Sequence, residues 1–135
     1  MVSYGFWQTV PLRWKDNDVY GHVNNVVHYS LMDTVINTYL IDSGGLDIAA
    51  GPVIGLCVES QCKYHASVSF PESLRMGLRV AHLGRSSVRY EVGMYAASSE
   101  ELVAEGNFVH VFVDRASRRP VEVAGKLREA LAALA

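Results

Sequence analysis

The sequence is short of the features that mark several large protein classes. Its 135 residues hold only two cysteines and no basic excess, since 12 Lys and Arg stand against 14 Asp and Glu. A net charge of -2 argues against a nucleic-acid-binding protein. No apolar run approaches the ~20 residues of a membrane span, and residues 1–7 lack the character of a signal peptide. We therefore expect one cytoplasmic domain over residues 1–135, with neither nucleic acid nor membrane as partner.

The two cysteines, Cys57 and Cys62, lie five positions apart in a segment with strand character. Alternate residues of a strand point to opposite faces, so we expect their side chains on opposite faces and no disulfide between them. Two cysteines without paired spacing do not make a zinc site. We interpret both as small buried hydrophobic residues.

The sequence does have clear helix periodicity. Apolar residues recur at steps of three and four from Val26 to Leu40, which predicts a helix that buries a broad face. Asn24 or Asn25 is a suitable N-cap, and the Ser-Gly-Gly run at 43–45 is a suitable end.

Strand patterns flank this helix on both sides. Loose or regular alternation predicts strands over residues 6–14, 53–70, 74–80, 88–94 and 102–113, followed by a short helix over 126–135. The order is strand, long helix, then four strands joined mostly by short turns. This order predicts an α+β fold, with one helix packed on an antiparallel sheet.

The last predicted strand is apolar on both faces. Phe108 and Phe112 lie on one face, and Val109, Val111 and Val113 lie on the other. An antiparallel sheet that meets water on one side would be polar there. We therefore expect a second subunit to cover the outer face, and hence a homo-oligomer.

The stretch over residues 13–29 combines carboxylates with an asparagine-rich helix start. It reads Arg-Trp-Lys-Asp-Asn-Asp-Val-Tyr-Gly-His-Val-Asn-Asn-Val-Val-His-Tyr. The first N–H groups of a helix have no internal partner and carry the positive end of its dipole. They suit a developing oxyanion, and an upstream carboxylate suits a base or nucleophile acting on the same carbonyl.

The residues alone leave two other interpretations open. The acidic pair and Gly21 are also consistent with a capped loop that performs no chemistry. Asp16, Asp18 and His22 are possible metal ligands, but no distant acidic or histidine cluster completes such a site. We therefore predict no metal.

The same stretch resembles the signature of hotdog-fold thioesterases, in the 4-hydroxybenzoyl-CoA thioesterase family. Its Gly-His-Val-Asn-Asn segment also resembles acyl-ACP thioesterases. Weaker matches follow at residues 62–64, 70–72, 83–87, 104–106 and 111–114. The resemblance covers nearly the whole chain. It implies an antiparallel sheet wrapped around one long central helix, and an acyl-CoA thioesterase that needs no cofactor.

The resemblance also implies roles by position. The family's catalytic Asp falls on Asp18, which would attack the thioester carbonyl or activate a water. The family's oxyanion donor falls on the backbone N–H of Asn25. His22 would contact the acyl group or water, or hold the loop by hydrogen bonds, and the second role is favoured.

Coenzyme A lies between subunits in this family, so the resemblance implies a homodimer or a homotetramer built as a dimer of dimers. Arg guanidinium suits phosphate geometry, which makes the turn at residues 85–87 a candidate nucleotide contact. The predicted substrate-binding residues are Gly21, Tyr29, Lys63, Arg85, Ser86 and Ser87.

Several neighbouring residues have a structural interpretation. We expect Asp16 to brace the loop against Arg13, Asn24 to cap the helix, and His28 to be partly buried with a satisfied partner. Glu59 stands in an otherwise apolar strand. It lines the cleft or makes a structural or subunit contact, and the second interpretation is favoured.

Two other functions remain possible on the sequence alone. A non-catalytic hotdog module would bind an acyl-CoA without turnover, and fold does not decide between these. Such a module has no need of Asp18 aimed at a helix N-terminus. An acyl-ACP thioesterase is the other alternative. Hotdog hydratases carry a differently arranged Asp-His pair that this sequence lacks.

Overall fold

A computed structural model describes residues 3–135 as one antiparallel sheet and two helices. Residues 1 and 2, which open the stretch considered for a signal peptide, lie outside the described residues. The strands are β1 (Phe6–Pro11), β2 (Val53–Tyr64), β3 (Ser73–Leu83), β4 (Ser87–Ala96) and β5 (Leu102–Asp114). The helices are α1 (Asn25–Asp42) and α2 (Gly125–Ala132), with a 3₁₀ turn at Trp14–Asp16. The α+β class is confirmed.

The sheet order is β1-β3-β4-β5-β2, and every neighbouring pair is antiparallel. The first two strands along the chain therefore form the two edges of the sheet. The long helix α1 contacts β1, β2, β3 and β5, so the sheet wraps around it. This is the hotdog architecture, and that prediction is confirmed. No helix of residues 3–135 is long and apolar enough to cross a membrane.

Helix α1 is held by packing and by caps at both ends. Asn24 is the N-cap, and its side-chain oxygen accepts from the N–H of Val26 at 3.0 Å. The buried apolar residues of α1 are Leu31, Met32, Val35, Ile36, Tyr39 and Leu40. Full burial of a Leu or Ile side chain contributes about 1.5–3 kcal/mol, so this stripe anchors the helix to the sheet.

Gly106 in β5 lets α1 lie close to the middle of the sheet. A Cβ at this position would collide with Sδ of Met32 and would stand 2.8 Å from the carbonyl oxygen of Gln61. Only a residue without a side chain fits this crossing of helix and strand.

Two predicted strands end earlier than expected. The first strand stops at Pro11 because the chain turns into the 3₁₀ segment, and β2 stops at Tyr64 rather than at residue 70. After Tyr64 the chain leaves the sheet, and the carbonyl of Val68 accepts the N–H of Val23 at 2.7 Å. The segment 65–70 therefore supports the loop before α1 instead of extending β2.

The predicted placement of the cysteines is wrong. The register of β2 shifts between Cys57 and Glu59, so Cys57 pairs with His110 and Cys62 pairs with Gly106. The bulge adds one residue and brings both thiols to the same face of the strand. Cys57 is exposed and Cys62 half-buried, because β2 is an edge strand, and both are free.

The outer face of β5 is partly covered by the chain itself. Val113 is buried and pairs with Pro120 in an isolated bridge, whereas Val109 and Val111 stay half-buried. The expectation that a second subunit covers this face stays a prediction.

Candidate active site

A buried carboxylate organises the loop that leads into α1. Asp16 is only 2% exposed, and it accepts hydrogen bonds from the backbone N–H of Arg13 at 2.8 Å and from its guanidinium at 2.9 Å. Burial alone would raise the pKa of Asp16, but these hydrogen bonds and the charge of Arg13 lower it overall. The predicted brace between Asp16 and Arg13 is confirmed.

Backbone hydrogen bonds then fix where the helix begins. The carbonyl of Asp16 accepts the N–H of Asn24 at 2.9 Å, and Asn17 and Val23 form a short bridge across the loop. The start of α1 is therefore tied to the loop and, through Val23, to the segment after β2.

Asp18 lies in the tight turn at the tip of this loop. Its N–H donates to the carbonyl of His22 at 2.9 Å, and its Oδ1 accepts the N–H of Tyr20 at 2.8 Å. Gly21 closes the turn at a φ of +85°, a conformation that favours glycine. Oδ2 of Asp18 makes no hydrogen bond within residues 3–135, and the side chain borders an open cavity of about 490 Å³ together with Gly21.

The backbone N–H of Asn25 is the unpaired donor at the helix start. The Asn24 side chain accepts from Val26, and the Asn24 carbonyl accepts from Val27 at 2.9 Å. Among the described residues, the N–H of Asn25 meets no acceptor. This N–H is therefore available to a ligand, and its predicted role as oxyanion donor stays a prediction.

Asn25 opens into a second cavity, of about 210 Å³, which we call the Asn25 cavity. Its lining residues are His22, Val23, Asn25, His28, Tyr64, His65, Ala66, Ser67 and Val68. The Tyr64 hydroxyl donates to the carbonyl of Asn25 at 3.0 Å, which pins the first turn of α1 to the end of β2. Asp18 borders the neighbouring cavity and not this one.

His22 stands between the two cavities. It lines the Asn25 cavity, its Nδ1 lies 3.3 Å from the carbonyl oxygen of Val23, and its ring stacks on Tyr20 at 6.5 Å between centroids. The residue thus touches both the loop and the cavity, and both of its predicted roles stay predictions.

His28 departs from its predicted state. The residue is 3% exposed, but its Nδ1 makes no hydrogen bond of normal geometry within the described part of the chain. The Tyr64 ring meets the imidazole edge-on at 4.9 Å. Burial lowers the pKa of His28 and outweighs the opposite effect of the Asn25 and Asn24 carbonyls, so the imidazole is neutral near pH 7. The prediction that His28 has a hydrogen-bond partner is wrong for Nδ1, because the ring lies in the wall of the cavity and Nδ1 meets no acceptor or donor of the described residues there.

The turn at residues 85–87 lies at the opposite end of the sheet. Ser87 pairs with Val111, whereas Tyr64 at the Asn25 cavity pairs with Ala104. Seven residues of β5 span about 23 Å. Within a single subunit, the turn at residues 85–87 therefore lies far from Asn25. Arg85 is exposed, and its Nε lies 3.9 Å from a carboxylate oxygen of Glu122.

Two other predicted residues lie on different faces. Tyr29 is half-buried on α1 next to Tyr64. Lys63 points to the outer face, where it lines a polar cavity with Glu91 and Glu105. Glu59 is exposed on that outer face, and its Oε2 lies 3.7 Å from the Arg89 guanidinium, so it does not line the Asn25 cavity.

Sequence reasoning missed part of the cavity wall. The sequence pattern places Ser67 and Val68 in an extended strand and gives His28 a structural role, yet all three line the cavity. The small and polar residues His-Ala-Ser at 65–67 are the available signal that the strand ends there. Within residues 3–135 no three His, Cys, Asp or Glu side chains are grouped to hold a metal ion.

Comparison with solved structures gives close matches over the whole fold. The PA5185 protein of Pseudomonas aeruginosa is 56% identical, with 97% of this chain and 92% of that chain covered and a TM-score of 0.94. The PA2801 protein of the same organism is 25% identical, with 95% and 98% covered and a TM-score of 0.88. A thioesterase of Thermus thermophilus, solved with coenzyme A and Zn, is 28% identical, with 99% and 96% covered and a TM-score of 0.83. No curated protein matches the chain.

The family comparison settles the class of protein. The model of the thioesterase-like superfamily matches residues 12–131, which include the loop, α1 and every strand after it. The prediction of a thioester hydrolase is confirmed, while the narrower 4-hydroxybenzoyl-CoA group stays a prediction. The chain belongs to the thioesterase-like superfamily and has its hotdog fold.

Proposed function

We propose that the protein is an acyl-CoA thioesterase, which hydrolyses a thioester to a free acid and coenzyme A. The observation that carries the proposal is the unpaired N–H of Asn25, a residue that lines a cavity beside the loop of Asp18. The Thermus thermophilus thioesterase was solved with coenzyme A, which supports this substrate class.

The Asn25 amide serves as the oxyanion donor in this proposal. The thioester oxygen accepts a hydrogen bond from this N–H, and the positive end of the α1 dipole stabilises the negative charge that develops on it. The hydrogen bond from Tyr64 to the Asn25 carbonyl holds the first turn in place before substrate arrives. Such preorganisation is what makes an oxyanion donor effective.

Asp18 supplies the carboxylate of the reaction. Gly21 borders the same cavity as Asp18, and the next residue, His22, borders the Asn25 cavity. The two cavities therefore meet the loop at consecutive residues. We propose that the thioester lies across this edge, in contact with Gly21 and Tyr29. The free Oδ2 of Asp18 then attacks the carbonyl or takes a proton from water, and His22 contacts the acyl group or the water.

A second copy of the chain completes the site in this proposal. Strand β2 is an edge strand of 12 residues, and its Val58 is 60% exposed. An unpaired edge of this length is a template for pairing with another strand. A homodimer, or a dimer of dimers, brings the partner's Arg85 turn and Lys63 toward the coenzyme A phosphates. Light scattering on the eluted protein checks this assembly, and a monomer at micromolar concentration contradicts it.

The decisive experiment compares the wild type with Asp18→Asn on a panel of acyl- and aroyl-CoA thioesters, with thiol release as readout. Asp42→Asn is the matched control, since Asp42 is exposed at the far end of α1, about 25 Å from Asn25. We expect thiol release by the wild type and the control, and a loss of about 10³-fold or more in kcat for the folded Asp18→Asn variant.

Three outcomes separate the alternatives. Hydrolysis that survives in Asp18→Asn contradicts the role of Asp18. Hydrolysis of acyl-ACP but of no CoA thioester identifies a carrier-protein thioesterase. Tight binding of acyl-CoA without turnover by the wild type identifies a binding module and overturns the proposal. The cytoplasmic location stays a prediction.

A further inference from the structure

A second polar group shares the cavity of the Asn25 amide. His28 is 3% exposed, lines the Asn25 cavity, and has an Nδ1 without a hydrogen-bond partner among the described residues. A buried polar atom left without a partner is costly. The residue with the unpaired backbone N–H, Asn25, and the buried histidine therefore line the same cavity.

Helix geometry brings the imidazole over the amide. His28 is three residues after Asn25 on α1, so the two lie on one face of the helix. Side chains of a helix tilt toward its N-terminus and cover the turn before their own Cα. The imidazole of His28 therefore covers the first turn, which carries the unpaired N–H of Asn25.

The protonation state of the His28 ring determines which nitrogen can accept a hydrogen bond. Nδ1 is the enclosed nitrogen, near the carbonyls of Asn24 and Asn25, so the accessible edge of the ring carries Nε2. A neutral imidazole that holds its proton on Nδ1 presents Nε2 as an acceptor. Burial lowers the pKa of the ring and keeps it neutral.

We propose that Nε2 of His28 accepts a hydrogen bond from the water that attacks the acyl carbon held at the Asn25 amide. This inference rests on the proposed function, and it adds a residue that contacts a reacting atom. A thioester oxygen bound at Asn25 places the acyl carbon one helical turn from the imidazole. No other buried side-chain acceptor of the described residues lines this cavity.

The step balances in both routes open to Asp18. In direct hydrolysis the water oxygen bonds to the acyl carbon, Asp18 takes one proton, and the other O–H stays bonded to His28. The C–S bond then breaks, and the proton passes from Asp18 to the thiolate. If Asp18 has already attacked and expelled the thiolate, water attacks the acyl anhydride, His28 takes one of its protons, and the Asp18 carboxylate leaves. His28 then releases this proton to the thiolate, directly or through solvent, which restores the neutral imidazole.

The test uses the full chain and steady-state thiol release from an acyl-CoA that the wild type hydrolyses. His28→Phe keeps a planar ring against Tyr64 but removes the acceptor, and His28→Gln keeps an acceptor. His82→Phe, at an exposed position on β3, is the control for a His-to-Phe change. We expect kcat of His28→Phe to fall about 10- to 100-fold, with KM within about threefold, and His28→Gln to recover part of the loss.

Hydroxylamine gives a readout that a purely structural role would not change. It attacks a thioester without prior loss of a proton, so it has no need of a residue that orients water. We expect it to accelerate thiol release by His28→Phe by a larger factor than release by the wild type, after subtraction of the reaction without enzyme.

The outcomes are distinguishable from those of the proposed function. No hydrolysis of any thioester by the wild type overturns both proposals. An active wild type with an unchanged kcat in folded His28→Phe overturns this inference alone. Equal loss in His28→Phe and His28→Gln, without a larger response to hydroxylamine, also overturns it and assigns His28 to packing. If His28→Phe does not fold, His28→Gln is compared with the wild type by the same hydroxylamine ratio.

Discussion

The start of α1 and the interior between β4 and β5 each contain a histidine that is 3% exposed, yet the two differ in their hydrogen-bond partners and in their access to a cavity. His110 of β5 lies 3.1 Å, through its Nδ1, from the hydroxyl of Tyr90. The rings of Phe108 and Phe112 meet it edge-on at 5.2 and 5.7 Å. This histidine is enclosed and partnered, which is typical of a structural residue.

His28 has the same burial without the partner. It lines the cavity together with Asn25, whose backbone N–H is unpaired, and it lies close to the loop of Asp18, whose Oδ2 makes no hydrogen bond among the described residues. Burial alone therefore does not separate the two histidines. The two histidines are distinguished by access to a cavity and by the lack of a hydrogen-bond partner among the described residues. This difference supports the proposal that the active site lies at the start of α1.

The largest effect that sharpens this comparison comes from Asn25→Pro. Proline is favoured at the first position of a helix and lacks the N–H that Asn25 leaves unpaired. The preceding residue, Asn24, already has an extended backbone at φ -61° and ψ 135°, which suits a following proline. We expect kcat to fall about 10²- to 10³-fold, with the free energy of unfolding within about 0.5 kcal/mol of wild type.

Asn25→Ala is the matched control, since it keeps the backbone N–H and removes only the side chain. Steady-state thiol release and urea unfolding measure both quantities. If the proline variant is folded and fully active, the Asn25 amide is not the oxyanion donor. The proposed difference in function between the cavity at the start of α1 and the enclosed region around His110 is then contradicted.

The next effect concerns stability in the closed region. Burial lowers the pKa of His110 to about 4. The unfolded chain binds a proton near pH 6.5, so stability from the neutral ring is complete above pH 6.5 and declines toward pH 4. The shift corresponds to on the order of 3 kcal/mol of unfolding free energy over that range.

The variant that tests this is His110→Asn, which keeps an acceptor near Tyr90 but does not titrate. We expect it to be less stable than wild type at pH 7 and to lose less stability between pH 7 and pH 4. Denaturant unfolding at a series of pH values gives the two slopes. Parallel slopes for the two proteins contradict the assignment of acid sensitivity to His110.

The smallest effect lies in the loop beside the proposed active site. Asp16→Asn removes a buried charge that holds Arg13, and we expect a loss of about 2 kcal/mol in unfolding free energy at pH 7. Because the pKa of Asp16 is lowered, its stabilisation is present above pH 3.8 and is lost as pH falls below that value.

Arg13→Gln is the comparison for this prediction, since the Arg13 side chain is 60% exposed and its removal costs less. Thermal unfolding at pH 7 and at pH 3.5 checks both expectations. Equal stability of Asp16→Asn and wild type at pH 7 means that the brace does not hold the loop.

Local patterns in the chain were enough to predict the helix, its N-cap and the Asp16 brace of the loop. The steps of three and four in α1, the Asn24 cap and the Asp16 brace all depend on residues within a few positions of each other. Interactions of such short range are determined by neighbouring residues, so they can be inferred without the fold.

Contacts between distant segments could not be predicted in the same way. One extra residue in β2 brings both thiols to one face, and the segment after Tyr64 leaves the sheet to support the loop at Val23. Register and strand ends depend on the partner strand, which is far away in the chain. The separation of about 23 Å along β5 between the partners of Ser87 and Tyr64 follows from the same long-range pairing.

The amino-acid sequence by itself determined the α+β order, the start of α1 and the placement of Asp18 seven residues before the Asn25 amide. Only the tertiary structure decided that Asn25 and His28 line one cavity and that Nδ1 of His28 has no partner among the described residues. The physical reason is that a cavity is made by surfaces from separate parts of the chain. Its walls here come from α1 and from residues 64–68, which meet only after the sheet has wrapped around the helix.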